Sequence, residues 1–160
     1  MKTTTIEVSF VVIAYNEERA ISSCIESIQK QNGLRKYELI VVNDASTDST
    51  TTIVNNYIRN NPTIKKNMGR GNARDTGVKL SRGKYIAFVD ADIILPKHWL
   101  STCLKHIATF DAVGGVAVPD GDVGYIYSQL NLKPKHAAHT TTVTGSNGLY
   151  HKSIFNRVNF

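Results

Sequence analysis

The chain alternates between short apolar runs rich in β-branched residues and segments whose apolar positions recur at helical spacing. The first pattern is typical of buried strands and the second of helices with one buried face. Strands are predicted at residues 7–14, 37–43, 85–89 and 112–118, and helices after Asn16, around residues 53–58, at 72–80 and at 96–110. Strands that alternate with helices favour an α/β fold, with a mostly parallel sheet and helices on both of its faces.

The sequence also predicts where some helices begin and end. Asn16 is a residue type that caps helix N-termini, and Glu17 and Glu18 suit the positive end of a helix dipole. Gly83 is predicted to form the C-cap of the third helix, because glycine is the residue that most often ends helices. Residues 60–71 are polar and basic, which predicts a loop.

Residues after 118 follow a less regular pattern. Loops are predicted at 119–124 and 133–139, a helix at 125–132, a strand at 140–144 and the start of a helix at 152–155. Because that last helix has no room to finish, we expect residues 1–160 to form a single domain that is incomplete at its C-terminus.

Composition narrows the class of protein. The 160 residues are 41% hydrophobic and 20% charged, which is typical of one globular domain. No apolar run approaches the roughly 20 residues that a membrane-spanning helix needs. The N-terminus lacks the basic-then-apolar order of a signal peptide, so a cytoplasmic location is expected. Cys24 and Cys103 form no CxxC pair and are expected to be buried, reduced thiols.

The charge balance favours an anionic partner. Nineteen basic residues against 13 acidic ones give a net charge of +6, and much of the excess lies between residues 65 and 84. A nucleotide, a nucleic acid or an acidic membrane surface would suit this charge. A solvated helix face explains any single lysine there equally well.

Polar residues follow three of the predicted strands at the point where each strand ends. They are Tyr15, Asn16 and Glu17 after the first strand, Asn43 and Asp44 at the second, and Asp90, Ala91 and Asp92 at the third. In open α/β sheets, ligands bind beyond the carboxyl ends of the strands, where strand order reverses. One acid means little, because Asp commonly forms turns. Three such ends on one edge favour a binding site.

Asp90 and Asp92 form a candidate metal site. They are two residues apart at a strand end, so in extended geometry their side chains point to the same side. Carboxylate oxygens are ligands that Mg²⁺ and Mn²⁺ prefer, and such an ion would offset charge on a departing nucleoside diphosphate. A solvated turn with two acids is the alternative.

Arg74 is a candidate anion-binding residue. It lies in a glycine-punctuated entry to a helix, where backbone N–H groups and a guanidinium can hold an anion. A surface ion pair with Asp75 is the alternative. The glycine spacings of dinucleotide-binding and P-loop sites do not fit this chain.

Four segments, taken in order, resemble family 2 glycosyltransferases. They are VVIAYNEERAISSCIESIQKQ, YELIVVNDASTDST, GRGNARDTGVKLSRGKYIAFVDADIILPKHWL and VTGSNGLYHKSIF. The resemblance implies a GT-A fold, a nucleotide-sugar donor (most commonly a UDP-sugar), a glycan or lipid-linked acceptor, and Mg²⁺ or Mn²⁺. It also implies a role in polysaccharide biosynthesis and allows peripheral contact with the inner face of a membrane.

The resemblance implies a nucleotide-binding set, a metal-binding pair and a segment on the sugar side. The nucleotide-binding set is Ala14, Tyr15, Glu17, Asp44, Arg74, Asp90 and Ala91. The metal-binding pair is Asp92 with Asp90, and the segment that faces the donor sugar or the acceptor is Gly145, Ser146 and Asn147. In this assignment Tyr15 packs on the base and Asp44 accepts a hydrogen bond from it. The structural alternatives are an aromatic cap at Tyr15, a turn former at Asp44 and a bend at Gly145.

The chain departs from the family pattern at three points, one of them a third strand that is short or absent around Ile64. Asp75 stands where the family usually has Asn. Inverting transfer also needs a carboxylate that takes the acceptor's proton, and the family places it C-terminal to the Gly145 segment. No Asp or Glu follows Asp122 here. We therefore expect the base to lie beyond Phe160, and the chain to bind donor but to transfer sugar poorly.

Three other functions remain alternatives. A sugar-nucleotide-binding module without transfer would have no base at all. A nucleotidyltransferase also combines a glycine-rich basic turn with metal-binding acids, but it would place that turn directly after the first strand. A nucleic-acid binder is disfavoured, because few aromatic residues interleave the basic stretch. The five histidines show no metal-ligand spacing, although His136 and His139 lie in a loop that could close over the site.

Overall fold

The computed structural model describes residues 6–32, 36–58, 67–115 and 145–157. The strands in these ranges are β1 (Val8–Ala14), β2 (Tyr37–Asn43), β3 (Tyr85–Asp90), β4 (Ala112–Gly114) and β5 (Asn147–His151). The helices are α1 (Ile21–Gln29), α2 (Thr50–Tyr57), α3 (Gly69–Leu80) and α4 (Trp99–His106), followed by a 3₁₀ helix at Lys152–Asn156. The elements predicted at residues 119–124, 125–132, 133–139 and 140–144 lie outside the described residues.

The strands form one sheet in the order β2-β1-β3-β5-β4. β1 pairs in parallel with both β2 and β3, whereas β5 is antiparallel to both β3 and β4. All seven residues of β1 are buried, which is typical of a central strand covered on both faces. The prediction of a mostly parallel α/β sheet is confirmed, with β5 as the antiparallel strand.

Helices cover both faces of the sheet, as the alternation of elements predicted. On one face, Phe10 and Val12 of β1 pack in a core that includes residues from α1, α2 and α4. On the other face, Val11 and Ile13 pack with Ala73 of α3. Successive β1 side chains therefore enter two separate cores, because side chains alternate across a strand. Among the described residues, no helix combines the length and the apolar character needed to cross a membrane.

The prediction that Asn16 caps the first helix is wrong. α1 begins at Ile21, after a turn, and its N-terminus has no side-chain cap. Asn16 instead adopts a left-handed backbone conformation with φ of 55°, and its Oδ1 accepts a hydrogen bond from Thr47 N at 2.8 Å. The side chain serves a neighbouring loop, so Glu17 and Glu18 also lie before the helix and not in its first turn.

The ends of the later elements also differ from the prediction. α3 begins at Gly69, inside the predicted loop at residues 60–71, and its C-cap is Ser81 and not Gly83. Gly83 lies against β1 instead, where an added Cβ would approach Ser9 N to 2.6 Å. The helix predicted at residues 96–110 is shorter, and the strand predicted at 112–118 is described only as Ala112–Gly114.

Candidate functional site

The carboxyl ends of β1, β2 and β3 lie side by side, because these three strands are adjacent and parallel. Asp44 N donates to Ala14 O at 2.9 Å, which ties the ends of β1 and β2 together. On the other side of β1, Ile13 pairs in register with Asp90 of β3. β2 lies on one side of β1 and β3 lies on the other, so the strand order reverses at β1. The predicted convergence of the three ends is confirmed.

A cleft of about 210 Å³ lies at this edge. Its lining residues are Ile13, Tyr15, Glu17, Asp44, Asn67, Gly69, Arg70, Asp90, Ala91 and Asp92. Tyr15 is 47% exposed, so its ring can meet a ligand. Two members of the predicted nucleotide-binding set do not line the cleft: Ala14 is fully buried, and Arg74 donates a hydrogen bond to Asp90.

The loops after β1 and β2 are joined by reciprocal hydrogen bonds. Asn16 N donates to Ser46 Oγ at 3.0 Å, and Thr47 N donates to Asn16 Oδ1. Glu17 N donates to Thr50 Oγ1 at 2.8 Å. These bonds join residues 16 and 17 to the loop after β2 and to the start of α2.

Asp44 is buried, with 2% of its surface exposed. Its Oδ1 accepts a hydrogen bond from Met68 N at 3.0 Å, and its Oδ2 accepts one from Gly69 N at 3.1 Å. Both donors are backbone N–H groups at the start of α3 that have no partner within the helix. A carboxylate at this position also stabilises the helix, because its negative charge lies at the positive end of the helix dipole. Asp44 therefore caps α3 from the end of β2. Each carboxylate oxygen still has lone-pair capacity for a ligand.

Arg74 connects three parts of the site. Its Nη2 donates to Asp90 Oδ1 at 2.9 Å and to Gly145 O at 3.2 Å. The approach is close, since an added Cβ on Gly145 would lie 3.2 Å from Arg74 Cζ. Ser146 O accepts a hydrogen bond from Asp90 N at 2.9 Å, and Asn147 is buried at the start of β5. The segment predicted to face the sugar thus packs beside the end of β3.

The cleft gathers negative charge. Partial burial, and then the charge of Asp92, raise the pKa of Glu17, while Arg70 opposes that rise. Carboxylates held this close favour a bound cation. Within the described ranges, no group of three or more acidic, His or Cys side chains could hold a metal ion. Mg²⁺ commonly binds through one or two carboxylates together with substrate phosphates, and Asp92 with Asp90 fits that pattern.

Sequence reasoning did not assign four residues that line the cleft, namely Ile13, Asn67, Gly69 and Arg70. Arg70 carried a usable signal, because it opens the same glycine-punctuated helix as Arg74. Ile13 is an apolar residue within a buried strand, so nothing in its sequence context indicated that it lines the cleft. The two cysteines agree with prediction: both are free and buried, and burial above all raises the pKa of each thiol to about 12.

Comparison with known proteins identifies the family. The family model described as Glycosyl transferase family 2 matches residues 9–158. Dolichyl-phosphate beta-glucosyltransferase ALG5C of Trichomonas vaginalis is 42% identical over 96 residues, which cover 52% of this chain and 28% of that protein. The chain spans about a quarter of the length of such curated relatives.

Two solved structures share the fold. The crystal structure of S. aureus TarS 1-349 in complex with UDP-GlcNAc has a TM-score of 0.71 and 25% identity, and the match covers 97% of this chain and 48% of that one. Mannosyltransferase PcManGT from Pyrobaculum calidifontis, in complex with GDP-Man and Mn²⁺, has a TM-score of 0.77 and 25% identity, covering 94% and 46%. With its central parallel strands and acidic strand ends, the chain has the GT-A fold and belongs to glycosyl transferase family 2.

Proposed function

We propose that this chain carries the donor-binding part of an inverting glycosyltransferase, which transfers sugar from a nucleoside-diphosphate sugar to a glycan or lipid-linked acceptor. The observation that carries the proposal is the meeting of Tyr15, Asp44 and Asp92 in one cleft, at the ends of three adjacent parallel strands. Neighbouring structures in complex with UDP-GlcNAc and with GDP-Man support a nucleotide-sugar donor. We favour a UDP-sugar.

The nucleoside lies between β1 and β2 in this proposal. The exposed ring of Tyr15 packs against the base, an arrangement worth about 1–3 kcal/mol for stacked bases. Asp44 accepts the N3–H of a uracil with the lone pairs that α3 leaves free. Glu17 and Asp90 lie near the ribose, and Ala91 brings the backbone close to it because its side chain is small and buried.

The diphosphate lies over the end of β3. Asp92, together with Asp90, would hold Mg²⁺ or Mn²⁺, which would neutralise charge on the departing nucleoside diphosphate. A solved neighbour in complex with Mn²⁺ supports this assignment. Arg70 lines the same cleft at the start of α3 and supplies a positive charge to the phosphates. The donor sugar or the acceptor lies next to Gly145, Ser146 and Asn147.

Calorimetric titration of the chain with UDP and with GDP, each with and without Mn²⁺, tests the proposal. We expect UDP to bind more tightly than GDP, and Mn²⁺ to tighten both. Asp92→Ala should remove most of the Mn²⁺ effect. Asp75→Ala is the matched control, since Asp75 pairs with Lys79 on α3 and does not line the cleft. Absence of any UDP binding would refute the donor assignment, and an unchanged Mn²⁺ effect in Asp92→Ala would refute the metal assignment.

A further inference from the structure

Residues 91–98, between β3 and α4, carry Asp92 but belong to no helix or strand. The segment begins at the cleft, which Ala91 and Asp92 line, and it is buried in part, with Ala91 at 2% and Leu95 at 4% exposure. Buried backbone N–H and C=O groups need partners, because an unpaired one costs free energy comparable to a lost hydrogen bond. The partners of this segment therefore decide where Asp92 sits.

Two buried side chains, Ser27 at the end of α1 and Gln31 just after the helix, supply hydrogen-bond partners to this segment and to the start of α4. Ser27 Oγ accepts a hydrogen bond from Leu95 N at 3.0 Å and donates one to Cys24 O at 2.7 Å. Gln31 Nε2 donates to Pro96 O at 2.8 Å, and Gln31 Oε1 accepts from Leu100 N at 3.0 Å.

Both the NH₂ group and the carbonyl oxygen of the Gln31 side chain form hydrogen bonds. Its Nε2 also donates to Ser27 O at 3.1 Å, so both amide hydrogens and the carbonyl oxygen have partners. Gln31 is 6% exposed and Ser27 is 7% exposed, so most of each side chain is shielded from water. A carboxylate at position 31 has only acceptors, and a thioether has no strong donor or acceptor. The bonds to the Pro96 carbonyl and the Leu100 amide therefore require an amide side chain.

The same face of α1 reaches the acidic strand end itself. Cys24 Sγ donates to Asp90 O at 3.6 Å, and beyond Gln31 the backbone of Asn32 donates to Lys97 O at 3.1 Å. Contacts from α1 thus occur along the segment from Asp90 to Leu100. Arg74 of α3 reaches Asp90, but in the hydrogen bonds of the described residues no bond from α2 or α3 reaches residues 91–98.

We propose that Gln31 and Ser27 are positioning residues: they fix the backbone of residues 91–98 and so hold Asp92 in the geometry that a phosphate-bound cation requires. Neither residue lines the cleft, so both act through the backbone. The inference rests on the proposed function, because it assumes that Asp92 binds the metal. It adds that the affinity for UDP in the presence of the metal depends on the hydrogen bonds of Gln31 and Ser27, which do not line the cleft.

Amide hydrogen exchange of the ligand-free chain provides the first test. In Gln31→Met, which has a similar shape but lacks the amide, the backbone amide of Leu100 loses its acceptor and should exchange about tenfold faster. Amides of β1 should stay within about twofold of wild type. Ile28→Val is the matched control, because it shortens a buried side chain of α1 and leaves the polar side chains of this network unchanged.

Titration with UDP provides the second test and separates positioning from general destabilisation. Gln31→Met should lower the Mn²⁺-dependent gain in UDP affinity by about fivefold or more, while metal-free UDP affinity stays within about twofold. A purely structural role would lower both affinities together, and Ile28→Val should change neither. If Gln31→Met does not fold, Ser27→Ala, which removes the acceptor for Leu95 N and the donor to Cys24 O, should show faster exchange at Leu95 and a smaller loss of the Mn²⁺-dependent gain.

The outcomes distinguish this inference from the proposed function. If wild type gains no UDP affinity from Mn²⁺, the metal assignment fails and this inference fails with it. If wild type shows the gain and Gln31→Met retains it in full, the metal assignment stands and the positioning role of Gln31 is wrong. Unchanged exchange at Leu100 in Gln31→Met would also overturn the positioning role.

Discussion

Arg74 Nη2 lies 2.9 Å from Asp90 Oδ1, and this ion pair joins the middle of α3 to the end of β3. The side chains are only 16% and 22% exposed, so the pair is shielded from most of the screening that weakens surface salt bridges. The same Nη2 also donates to Gly145 O. One guanidinium therefore holds an acidic cleft residue and the turn before β5 in a fixed relation.

We expect Arg74→Met to lower the free energy of unfolding by about 1–3 kcal/mol, because it leaves Asp90 and the Gly145 carbonyl without their donor. Urea denaturation measures this. Lys79→Ala breaks an exposed ion pair on the same helix and should cost no more than about 0.5 kcal/mol. Similar losses in the two variants would contradict the structural role of Arg74. UDP affinity should fall in Arg74→Met and not in Lys79→Ala.

Asp44 is predicted to serve both the fold and the ligand. Asp44→Ala removes two hydrogen bonds to the N-terminus of α3 and should cost about 1–3 kcal/mol of stability. Asp44→Asn keeps one acceptor oxygen, so it should cost less. Both variants should also reduce the preference for UDP over GDP, measured by calorimetry. If stability falls while the preference is unchanged, Asp44 is a structural cap and its assignment to the base is wrong.

Glu38 is expected to make stability depend on pH. Burial by itself would raise its pKa, but hydrogen bonds from Ser9 Oγ and from the backbone and guanidinium of Arg82 outweigh burial, so the pKa of Glu38 lies below its usual 4.5. A carboxyl with a lower pKa in the folded state stabilises the protein above its unfolded pKa. That contribution is lost as the pH falls through the lowered folded pKa.

Glu38→Gln should therefore be less stable than wild type at neutral pH, and the difference should shrink as the pH falls below the usual pKa of the carboxyl. Denaturation curves at a series of pH values measure this difference. Comparing the two proteins at each pH is necessary, because Glu26 and Asp48 also have lowered pKa values. A difference that stays constant with pH would show that the ionised form of Glu38 has no special partners.

Gly77 is predicted to be indispensable for the packing of α3 on β1. A Cβ at this position would lie 2.2 Å from Val11 Cγ1, and Val11 is fully buried. Gly77→Ala should destabilise the protein by about 1–3 kcal/mol through overpacking, although alanine favours a helix over glycine by about 1 kcal/mol. Combining it with Val11→Ala should relieve the clash, so the double variant should be more stable than the sum of the single changes predicts. Additive effects in urea denaturation would contradict this contact.

Local pattern was sufficient for β1, β2 and β3 and for the edge where the site lies, but it did not predict β5 at Asn147–His151. β2 begins and ends at the predicted residues, and β1 and β3 differ from prediction by one residue at one end. β-branched runs between polar turns are a strong signal, because a strand covered on both faces requires apolar residues throughout. The common edge of Tyr15, Asp44 and Asp92 also followed from the sequence, because parallel strands place their carboxyl ends together.

The ends of the helices and the partners of the polar side chains were decided only by the tertiary structure. Asn16 has the right residue type for a cap, but the loop after β2 lies close enough to bind it. Asp44 caps a helix that begins 25 residues later, and Gln31 bonds to backbone 65 and 69 residues away. A polar side chain can satisfy its hydrogen bonds with any group the fold brings near. Sequence therefore determines which residues can donate and accept, and the packing of helices on the sheet determines which of them meet.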